Sequence, residues 1–373
     1  MTDSLSLRPA QAADLDALTA LEERCFQGDR LSRRSFRHWV RQGHTGLIVA
    51  HDSSTDLAGY VLVILQKGTR LARLYSIAID PAQRGRGLAE RLMAAAEQYA
   101  HDQKRLYLRL EVRRDNQAAI RLYQRLGYKL FGETADYYED HEDALRFQKR
   151  LHYKPESGEQ LSIPWLRQST DFTCGPACLL MARAALGRAA QGASAELQSD
   201  SEELLIWREA TTIFMTAGHG GCHPLGLALA AHRRGLNVEV WCNQIGPLFM
   251  DSVRDDNKKR VIETVHRHFE HDARELSIPI HYGELSAERL DRALENGDVA
   301  IVLISTWRLD GRKAPHWVVI SGSDRECFYI HDPDPADHQD PLDCQHVPIS
   351  RARFEQMSRY GQARLRTGII VGR

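Results

Sequence analysis

What this sequence lacks already excludes several classes of protein. No stretch approaches the run of about 18 apolar residues that indicates a membrane-spanning helix. The N-terminal segment MTDSLSLRPAQAADLDAL carries early acidic residues and no apolar core of the kind found in signal peptides. Charge of one sign is missing too, because 49 basic and 50 acidic residues leave a net charge of -1 at pH 7. No overall field draws the chain to nucleic acid or to an anionic membrane, so we expect neither as a partner.

Cysteine is present, but not in the pattern of a disulfide-rich or zinc-binding domain. The seven cysteines include no Cys-x-x-Cys pair, and their odd number argues against a full disulfide framework. The cluster of His219, Cys222 and His223 has no second ligand pair at the spacing of a closed zinc site, so we predict no metal. These features favour a reducing compartment and predict a cytoplasmic protein. The oligomeric state is left open.

The chain of 373 residues is longer than one hydrophobic core usually serves, so its length predicts two domains. The polar segment 152–161, which carries Pro and Gly, is predicted to be a linker between domains at 1–151 and 162–373. The first part alternates helix and strand signals. The second part is predicted to be helical from Ser201 to Arg274 and then strand-rich, with short apolar runs such as Val299–Ser305. The expected class is therefore α/β (α+β).

A glycine-rich turn in the first part joins the strand Leu74–Ile79 to an amphipathic helix. Gly85 and Gly87 allow close approach of a ligand to the backbone, and N-H groups at the start of the helix point at an anion. Arg84 and Arg86 add positive charge. The spacing is neither the dinucleotide GxGxxG nor a P-loop, so the pattern predicts the pyrophosphate of another cofactor.

This turn and the residues after it resemble one family closely. The pattern Arg84-x-x-Gly87-x-Ala89 is similar to the acetyl coenzyme A loop of the GNAT acetyltransferases. The segment 110–128 and the later Tyr137-Tyr138 extend the resemblance to the bacterial ribosomal-protein alanine acetyltransferase branch, over nearly all of residues 5–150. The resemblance implies a GNAT fold with a mixed central sheet, acetyl-CoA as cofactor, and a peptide or protein N-terminus as acceptor.

The same resemblance implies roles for individual residues. Glu111 would be the general base that takes a proton from the acceptor amine, and Tyr123 the acid that protonates the leaving thiolate. Two plainer interpretations stay open, namely a surface salt bridge for Glu111 and simple packing for Tyr123. Backbone groups around Ile77 and Ile79 would pair with the pantetheine arm, and Asn116 would lie beside the cofactor. The residues implied to hold the pyrophosphate are Arg84, Gly85, Arg86, Gly87, Leu88 and Ala89.

The second part contains a cysteine where a loop turns into a helix. In the run Asp171-Phe-Thr-Cys-Gly-Pro-Ala-Cys178, Pro176 suits a first helical turn, and an apolar periodic stretch continues to the stop signal Gly187. Cys174 is therefore predicted near the positive end of a helix, where N-H groups and the helix dipole stabilise a thiolate. Cys178, one turn further on, is predicted to be a core residue.

Two downstream strands are predicted to bring a histidine and a carboxylate together. Pairing Ser321 with Cys327 in a hairpin would place His316 directly opposite Asp332. The chain order Cys174, His316, Asp332 matches a papain-like site in which the acid orients the imidazole. Gln168, on the loop before the cysteine, could join the Cys174 N-H in an oxyanion hole. In contrast, the helical-stretch histidines 266, 268 and 271 are predicted to form a solvated face.

These residues, with Thr173–Ala177 and Asp332-Pro333, resemble the bacteriocin-processing double-glycine cysteine peptidases over about residues 162–371. The resemblance implies a papain-like domain with a helical lobe and an antiparallel sheet. The sequence therefore predicts a bifunctional enzyme that acetylates an N-terminal amine and cleaves a peptide bond with a cysteine nucleophile. Two alternatives remain open: the second domain is a non-catalytic peptide-binding module, or it is a transpeptidase or isopeptidase. Whether both domains share a substrate is also open.

Overall fold

The structure is a computed structural model, and it describes residues 5–26, 28–42, 45–51, 57–151, 158–188, 200–211, 220–250, 253, 255–308, 314–335 and 341–373. The chain divides into two compact units, one of Met1–Gln66 with Arg70–Lys154 and one of Lys67–Thr69 with Pro155–Arg373. None of the helices in these ranges combines the length and apolar character needed to cross a membrane.

The first unit is built on a seven-stranded sheet in the order β1-β2-β3-β4-β5-β7-β6. Neighbouring strands are antiparallel except for β4 and β5, which run parallel, so the sheet is mixed as expected. The strands are β1 (Ser6–Pro9), β2 (Thr45–His51), β3 (Leu57–Leu65), β4 (Leu71–Ile79), β5 (Tyr107–Arg113), β6 (Lys129–Thr134) and β7 (Ala144–Arg150). The helices are α1 (Leu15–Cys25), α2 (Arg33–Arg41), α3 (Leu88–Asp102) and α4 (Gln117–Arg125).

Helices cover both faces of this sheet, and successive side chains of β3 pack alternately on the two faces. Tyr60 and Leu62 belong to the core cluster that includes α1 and α2, whereas Val61 and Val63 belong to the cluster that includes α3 and α4. A strand buried on both faces reads as a continuous apolar run rather than an alternating one, which explains the sequence LAGYVLVIL of β3.

The two parallel strands separate partway along their length. The pairing of β4 with β5 ends at Leu74 and Leu110, although β4 continues to Ile79 and β5 to Arg113. On its other edge β4 stays paired with β3 up to Ile79, across a bulge next to Leu74. Backbone groups of β4 beyond Leu74 therefore face an opening at the carboxyl ends of the parallel strands, where α/β sheets commonly bind ligands.

The second unit has a larger sheet in the order β10-β9-β15-β11-β12-β13-β14, with β8 also paired to β12. All pairs are antiparallel except β9 with β10. The strands are β8 (Gly158–Gln160), β9 (Asn237–Cys242), β10 (Ile280–Tyr282), β11 (Val299–Ser305), β12 (Pro315–Asp324), β13 (Cys327–His331), β14 (Val347–Ser350) and β15 (Thr367–Gly372). The helices are α5 (Cys174–Arg188), α6 (Asp200–Ala210), α7 (Pro224–Arg233), α8 (Asp256–Glu275), α9 (Ala287–Glu295) and α10 (Arg351–Met357).

The mixed α/β class with two sheets confirms the predicted fold class, but three local predictions were wrong. The stretch 201–274 is not helical throughout, because β9 lies within it and pairs with β15. Part of the predicted linker, residues 158–160, forms β8 against the end of β12, while residues 152–157 lie outside the described ranges. His266 is buried rather than solvated. In each case a distant partner strand or helix supplies a contact that the local pattern does not contain.

Candidate active sites

The cysteine of the second unit stands at the first residue of α5, as the sequence predicts. The preceding turn is closed by Thr170 and Thr173, whose backbone and hydroxyl groups bond each other at 3.0–3.3 Å. Thr173 then accepts the first helical bond from the Ala177 N-H at 3.0 Å. Pro176 lies in the first turn, where no intrahelical acceptor is available and its missing N-H costs nothing. The Cys174 thiol is therefore held at the N-terminal end of a buried helix.

The residue after Cys174 must be small. A Cβ added to Gly175 would lie 3.1 Å from Leu227 of α7 and 3.2 Å from Cys222. The helix start thus packs directly on α7 and on the chain that leads into it. Cys222 and Cys178 are both buried, and burial, with the charge of Cys174 added to it, raises the pKa of both thiols far above the usual range. Cys178 and Cys222 therefore stay neutral, and Cys174 stays the predicted nucleophile.

His316 is the partner of Cys174. Its imidazole Nε2 lies 2.7 Å from the Asp332 carboxylate Oδ1, and the ring is only 6% exposed. Burial alone would lower the pKa of His316. The Asp332 carboxylate and the Cys174 sulfur, which also hydrogen-bonds the ring, outweigh burial and raise the pKa well above its ordinary value. The imidazolium is therefore the favoured form of His316 beside the Cys174 sulfur.

The hairpin that carries these residues differs from the predicted one. The predicted pairing of Ser321 with Cys327 was wrong: Ser323 pairs with Phe328 near the turn, and beyond the bulge Ile330 pairs with Ile320, two residues from the predicted Val318. Strand β12 has a bulge after Ile320 and continues to Asp324. The turn before β13, which begins at Cys327, is therefore tight. Because side chains alternate with a period of two, an even shift keeps His316 and Asp332 on one face, as diagonal rather than direct neighbours. The predicted contact therefore exists in spite of the wrong register.

Backbone groups and an indole fix the position of Asp332. Its N-H donates to the Cys344 carbonyl at 2.9 Å, and its Oδ1 accepts from the Asp334 N-H at 2.9 Å. Its carbonyl accepts from the Trp165 Nε1-H at 2.7 Å. Trp165 was not predicted from the sequence; the signal that points to it is an aromatic N-H donor on the loop before Cys174. These bonds orient the carboxylate toward His316.

Gln168 lies on the same loop as Trp165. Its N-H donates to the Pro333 carbonyl at 2.9 Å, so the loop runs beside the residues that follow Asp332. The side chain is buried, and its Oε1 has no hydrogen-bond partner within the ranges that the structure describes. A buried amide with an unused acceptor is unusual in a purely structural position. The role of Gln168 in an oxyanion hole stays a prediction.

In the first unit, the loop between β4 and α3 has the conformation that an anion site requires. Gly85 and Gly87 have φ values of +76° and +74°, and a Cβ at either position would meet nothing within 4 Å. Gly87 caps α3 without a side-chain hydrogen bond, so the N-H groups of the first turn are available to a ligand. Arg84 and Arg86 flank the loop, bonded to Ile79 O and Gln83 Oε1. The loop therefore fits the pyrophosphate that the sequence predicts.

The other predicted cofactor residues lie around the opening of the sheet. Ile77 and Ile79 are on β4 beyond its last pair with β5, so their backbone groups on that edge face the opening. Asn116 follows β5 and caps α4, its side-chain oxygen accepting from the Ala119 N-H at 3.1 Å. The Asn116 side-chain oxygen is thus used as a helix cap. The predicted place of Asn116 beside the cofactor stays a prediction.

Glu111 lies on β5 in a strongly ionic setting. Its side chain is 6% exposed, and its carboxylate is 2.8 Å from Arg73 Nε and 2.8 Å from Arg146 Nη2. Arg73 in turn donates to the Tyr137 hydroxyl at 2.6 Å. The surface salt bridge considered from sequence is therefore a buried one with two cations, which holds the carboxylate in place at the edge of the opening.

Tyr123 on α4 is close enough to Glu111 for their charges to interact. Burial, with a smaller effect of the Glu111 carboxylate, raises the pKa of Tyr123, so the phenol stays protonated. Its ring packs against Tyr128 and Phe147, with centroids 5.9 and 6.3 Å away. A neutral phenol can donate a proton to a leaving thiolate, and packing and acid chemistry are compatible here.

Of the histidine and cysteine cluster considered for zinc, His219 lies outside the described residues. Among the described residues, no group of three or more potential ligands occurs. His223 instead contacts His266, with Nε2 and Nδ1 3.1 Å apart. Burial lowers the pKa of His223 to about 3, so the ring is neutral and structural.

Comparisons with known proteins find relatives for the N-terminal and the C-terminal part of the chain. The model of the Acetyltransferase (GNAT) family matches residues 15–128. The chain is 34% identical over 153 residues to the NAA10 catalytic subunit of the N-terminal acetyltransferase A complex of Arabidopsis thaliana, covering 40% of this chain and 79% of that protein. It is 29% identical over 145 residues to the N-alpha-acetyltransferase RimI of Mycobacterium tuberculosis, covering 37% of this chain and 86% of that protein.

Among solved structures, the ribosomal-protein-S18-alanine N-acetyltransferase from Escherichia coli aligns with a TM-score of 0.37 at 24% identity, covering 41% of this chain and 98% of that one. The model of the Peptidase_C39 like family matches residues 163–372, more than half of the chain. The chain therefore belongs to the Peptidase_C39 like family and carries a GNAT acetyltransferase domain in its N-terminal part.

Proposed function

We propose that the chain is a bifunctional peptide-modifying enzyme, with an N-terminal amine as acetyl acceptor in the first domain and a peptide bond as substrate of the second. The observation that carries the peptidase half is the Cys174, His316 and Asp332 arrangement, with a buried imidazole bonded to a carboxylate at 2.7 Å. The relatives named as N-terminal and N-alpha acetyltransferases support the choice of acceptor. A cytoplasmic location is part of the proposal, and all seven cysteines are free thiols.

In the first domain, the residues of this chain bind, orient and move protons. Acetyl-CoA, when bound, supplies an activated acetyl thioester. The loop of Gly85 and Gly87 holds its pyrophosphate, and the free edge of β4 pairs with its pantetheine arm. Glu111 accepts a proton from the acceptor ammonium, which frees the lone pair of the amine for attack. Tyr123 would donate its phenol proton to the departing sulfur and recover a proton from the amine nitrogen as the amide forms.

In the second domain, the ion pair of Cys174 and His316 starts the reaction. The thiolate forms a bond to the carbonyl carbon of the substrate, and the Cys174 N-H with the Gln168 side chain stabilises the oxyanion. His316 then donates its proton to the leaving amine, so the peptide bond breaks and an acyl-cysteine remains. A water molecule, deprotonated by the same imidazole, releases the acid and restores the thiol. Asp332 orients the ring and stabilises its charge throughout.

The experiment is mass spectrometry of a peptide library incubated with the full chain and acetyl-CoA. Acetylated and cleaved products are expected from the parent protein. Cys174→Ala should abolish cleavage and keep acetylation, whereas Glu111→Gln should abolish acetylation and keep cleavage. The activity that each variant keeps shows that the protein is folded. Cleavage that survives Cys174→Ala would contradict the peptidase proposal, and undiminished acetylation by Glu111→Gln would contradict the assigned base.

The non-catalytic alternative for the second domain makes a different prediction about the thiol. A binding module has no need for an activated cysteine, whereas the proposed nucleophile should react with iodoacetamide faster than free cysteine at neutral pH. Reaction at the rate of free cysteine, with no cleaved peptide in the library, would favour the binding module.

A further inference from the structure

Helix α2 carries an unusual concentration of positive charge. Its nine residues, RRSFRHWVR, include four arginines and a histidine and no acidic residue. Arg33 and Arg34 stand in the first turn, where the helix dipole disfavours cations. Arg33 with Arg37 and Arg37 with Arg41 are like charges at the i,i+4 spacing, which repel each other. Helix stability does not explain this composition, so it points to a partner outside the helix.

Most of this charge has no counter-ion among the residues that the structure describes. Arg33 pairs with Asp16 at 2.6 Å. Within the described ranges, Arg34, Arg37 and Arg41 form no ion pair, and Arg37 reaches Asp16 only through longer-range attraction. All three are exposed. They surround an open cavity of about 290 Å³ whose lining is Arg34, Arg37, His38, Arg41 and Gln42, which we term the arginine pocket.

The position of α2 connects the arginine pocket to the acetyl-transfer site. The opposite side of the helix is anchored in the core through the buried Phe36, whose ring meets Tyr60 edge-on at 5.4 Å. At its margin, Trp39 contacts the exposed Tyr75, with ring centroids 6.0 Å apart. Tyr75 lies at the opening of the sheet, with the guanidinium of Arg73 5.6 Å from its ring. Arg73 binds Glu111, so a continuous path of contacts joins the predicted base to the arginine pocket.

We propose that the arginine pocket binds acidic side chains of the acceptor peptide, downstream of the N-terminal amine that is acetylated. This inference rests on the proposed function of the first domain and names its substrate class. The contacts from Glu111 to Trp39 have steps of 2.8, 5.6 and 6.0 Å. An extended chain advances about 3.3 Å per residue, so the acidic residues would begin roughly four residues from the amine. Trp39 and Tyr75 would lie under the peptide between the two ends. A nucleic-acid ligand is disfavoured because the patch is one short helix on a chain of net charge -1.

The test compares two fluorescent peptides that share a free N-terminus and differ only in having aspartates or asparagines from about the fourth residue onward. Anisotropy measures binding to the full chain with acetyl-CoA present, and mass spectrometry measures acetylation separately. The triple variant Arg34→Gln, Arg37→Gln, Arg41→Gln removes the arginine pocket. Arg33→Gln is the matched control, since it removes one charge from the same helix outside the cavity.

We expect the aspartate peptide to bind about tenfold more tightly than the asparagine peptide, since each exposed charge pair contributes up to about fivefold. The preference should vanish in the triple variant, persist in Arg33→Gln, and weaken as the ionic strength rises from about 0.05 to about 0.5 M. Equal binding of the two peptides by the parent, or an undiminished preference in the triple variant, would overturn the inference.

The proposed acceptor chemistry can fail separately. Charge-dependent binding without acetylation of either peptide would refute the proposed acetylation of N-termini and leave the arginine pocket as an acidic-peptide site. Equal acetylation of both peptides, together with equal binding, would support the proposed acetylation of N-termini and refute the arginine pocket as an acidic-peptide site. A short single-stranded RNA that binds more tightly than the aspartate peptide and loses binding in the triple variant would overturn the assignment to a peptide.

Discussion

Replacing Asp332 by Asn removes one charge and keeps the shape of the side chain, so it tests the central claim about Cys174. The Asp332 carboxylate lies 2.7 Å from the imidazole of His316, and its charge opposes the effect of burial on the pKa of that ring. Two other buried histidines show what burial does where no carboxylate bonds the ring. The pKa values of His223 and His331 are both lowered to about 3.

The expected size of the effect follows from these values. Without the carboxylate, the pKa of His316 should fall from above its ordinary value to below it, so the imidazolium is lost at pH 7. A Cys174 that has lost the imidazolium beside it should react like free cysteine, which is only about 3% thiolate at pH 7. Relative to the proposed ion pair, the rate of alkylation should therefore fall by about 30-fold.

The assay is the rate of iodoacetamide modification of Cys174 as a function of pH, followed by intact-protein and peptide mass spectrometry. Asp171→Asn is the control, since it removes an exposed carboxylate near the nucleophile. That variant should react within about threefold of the parent, because exposed charges interact weakly. If Asp332→Asn reacts at pH 7 as fast as the parent, with an unshifted pH profile, the proposed ion pair is wrong.

Three further predictions concern other parts of the chain. Glu111→Gln should lower the rate of acetyl transfer by about 10²–10⁴-fold and leave the alkylation of Cys174 unchanged; a loss of less than tenfold in single-turnover measurements would reject Glu111 as the base. Gly87→Ala should raise the KM for acetyl-CoA, because an alanine at φ +74° costs about 1–2 kcal/mol, while Gly187→Ala, near the end of α5 with open space around it, should not. His223 and His331 are buried in the neutral form, and their pKa values of about 3 lie below the unfolded value of about 6.5. Their contribution to stability should therefore be complete above about pH 6.5 and be lost as the pH falls toward 3; an unfolding midpoint in urea that is independent of pH between about 4 and 7 would contradict this.

The site of the second domain could be predicted largely because its signals are local. A loop-to-helix transition at Cys174 is encoded by Pro176 and the apolar period after it, and α5 begins where the pattern indicates. His316 and Asp332 lie on strands joined by a tight turn, so only a few registers are possible. The predicted register was wrong because the bulge after Ile320 and the extension of the strand to Asp324 are invisible in the alternation.

The first domain shows what such patterns miss. Glu111 can be placed on the polar side of β5 from alternation alone, but its two cations come from β4 and β7. Their proximity depends on the strand order of the folded sheet. The same limit hid β9, because a short alternating strand between helices gains its stability from β15, which follows more than a hundred residues later.

The sequence by itself determined the features that obey local rules: a helix start at Cys174 and glycines for the left-handed turn at Gly85 and Gly87. Backbone sterics act within a few residues, so no knowledge of the fold is needed. The common face of His316 and Asp332 also depends on the bulge after Ile320, which only the folded sheet shows. Only the tertiary structure decided which buried histidine carries a charge. The pKa of a ring depends on its burial and on the charges around it, and those neighbours are brought together only when the chain folds.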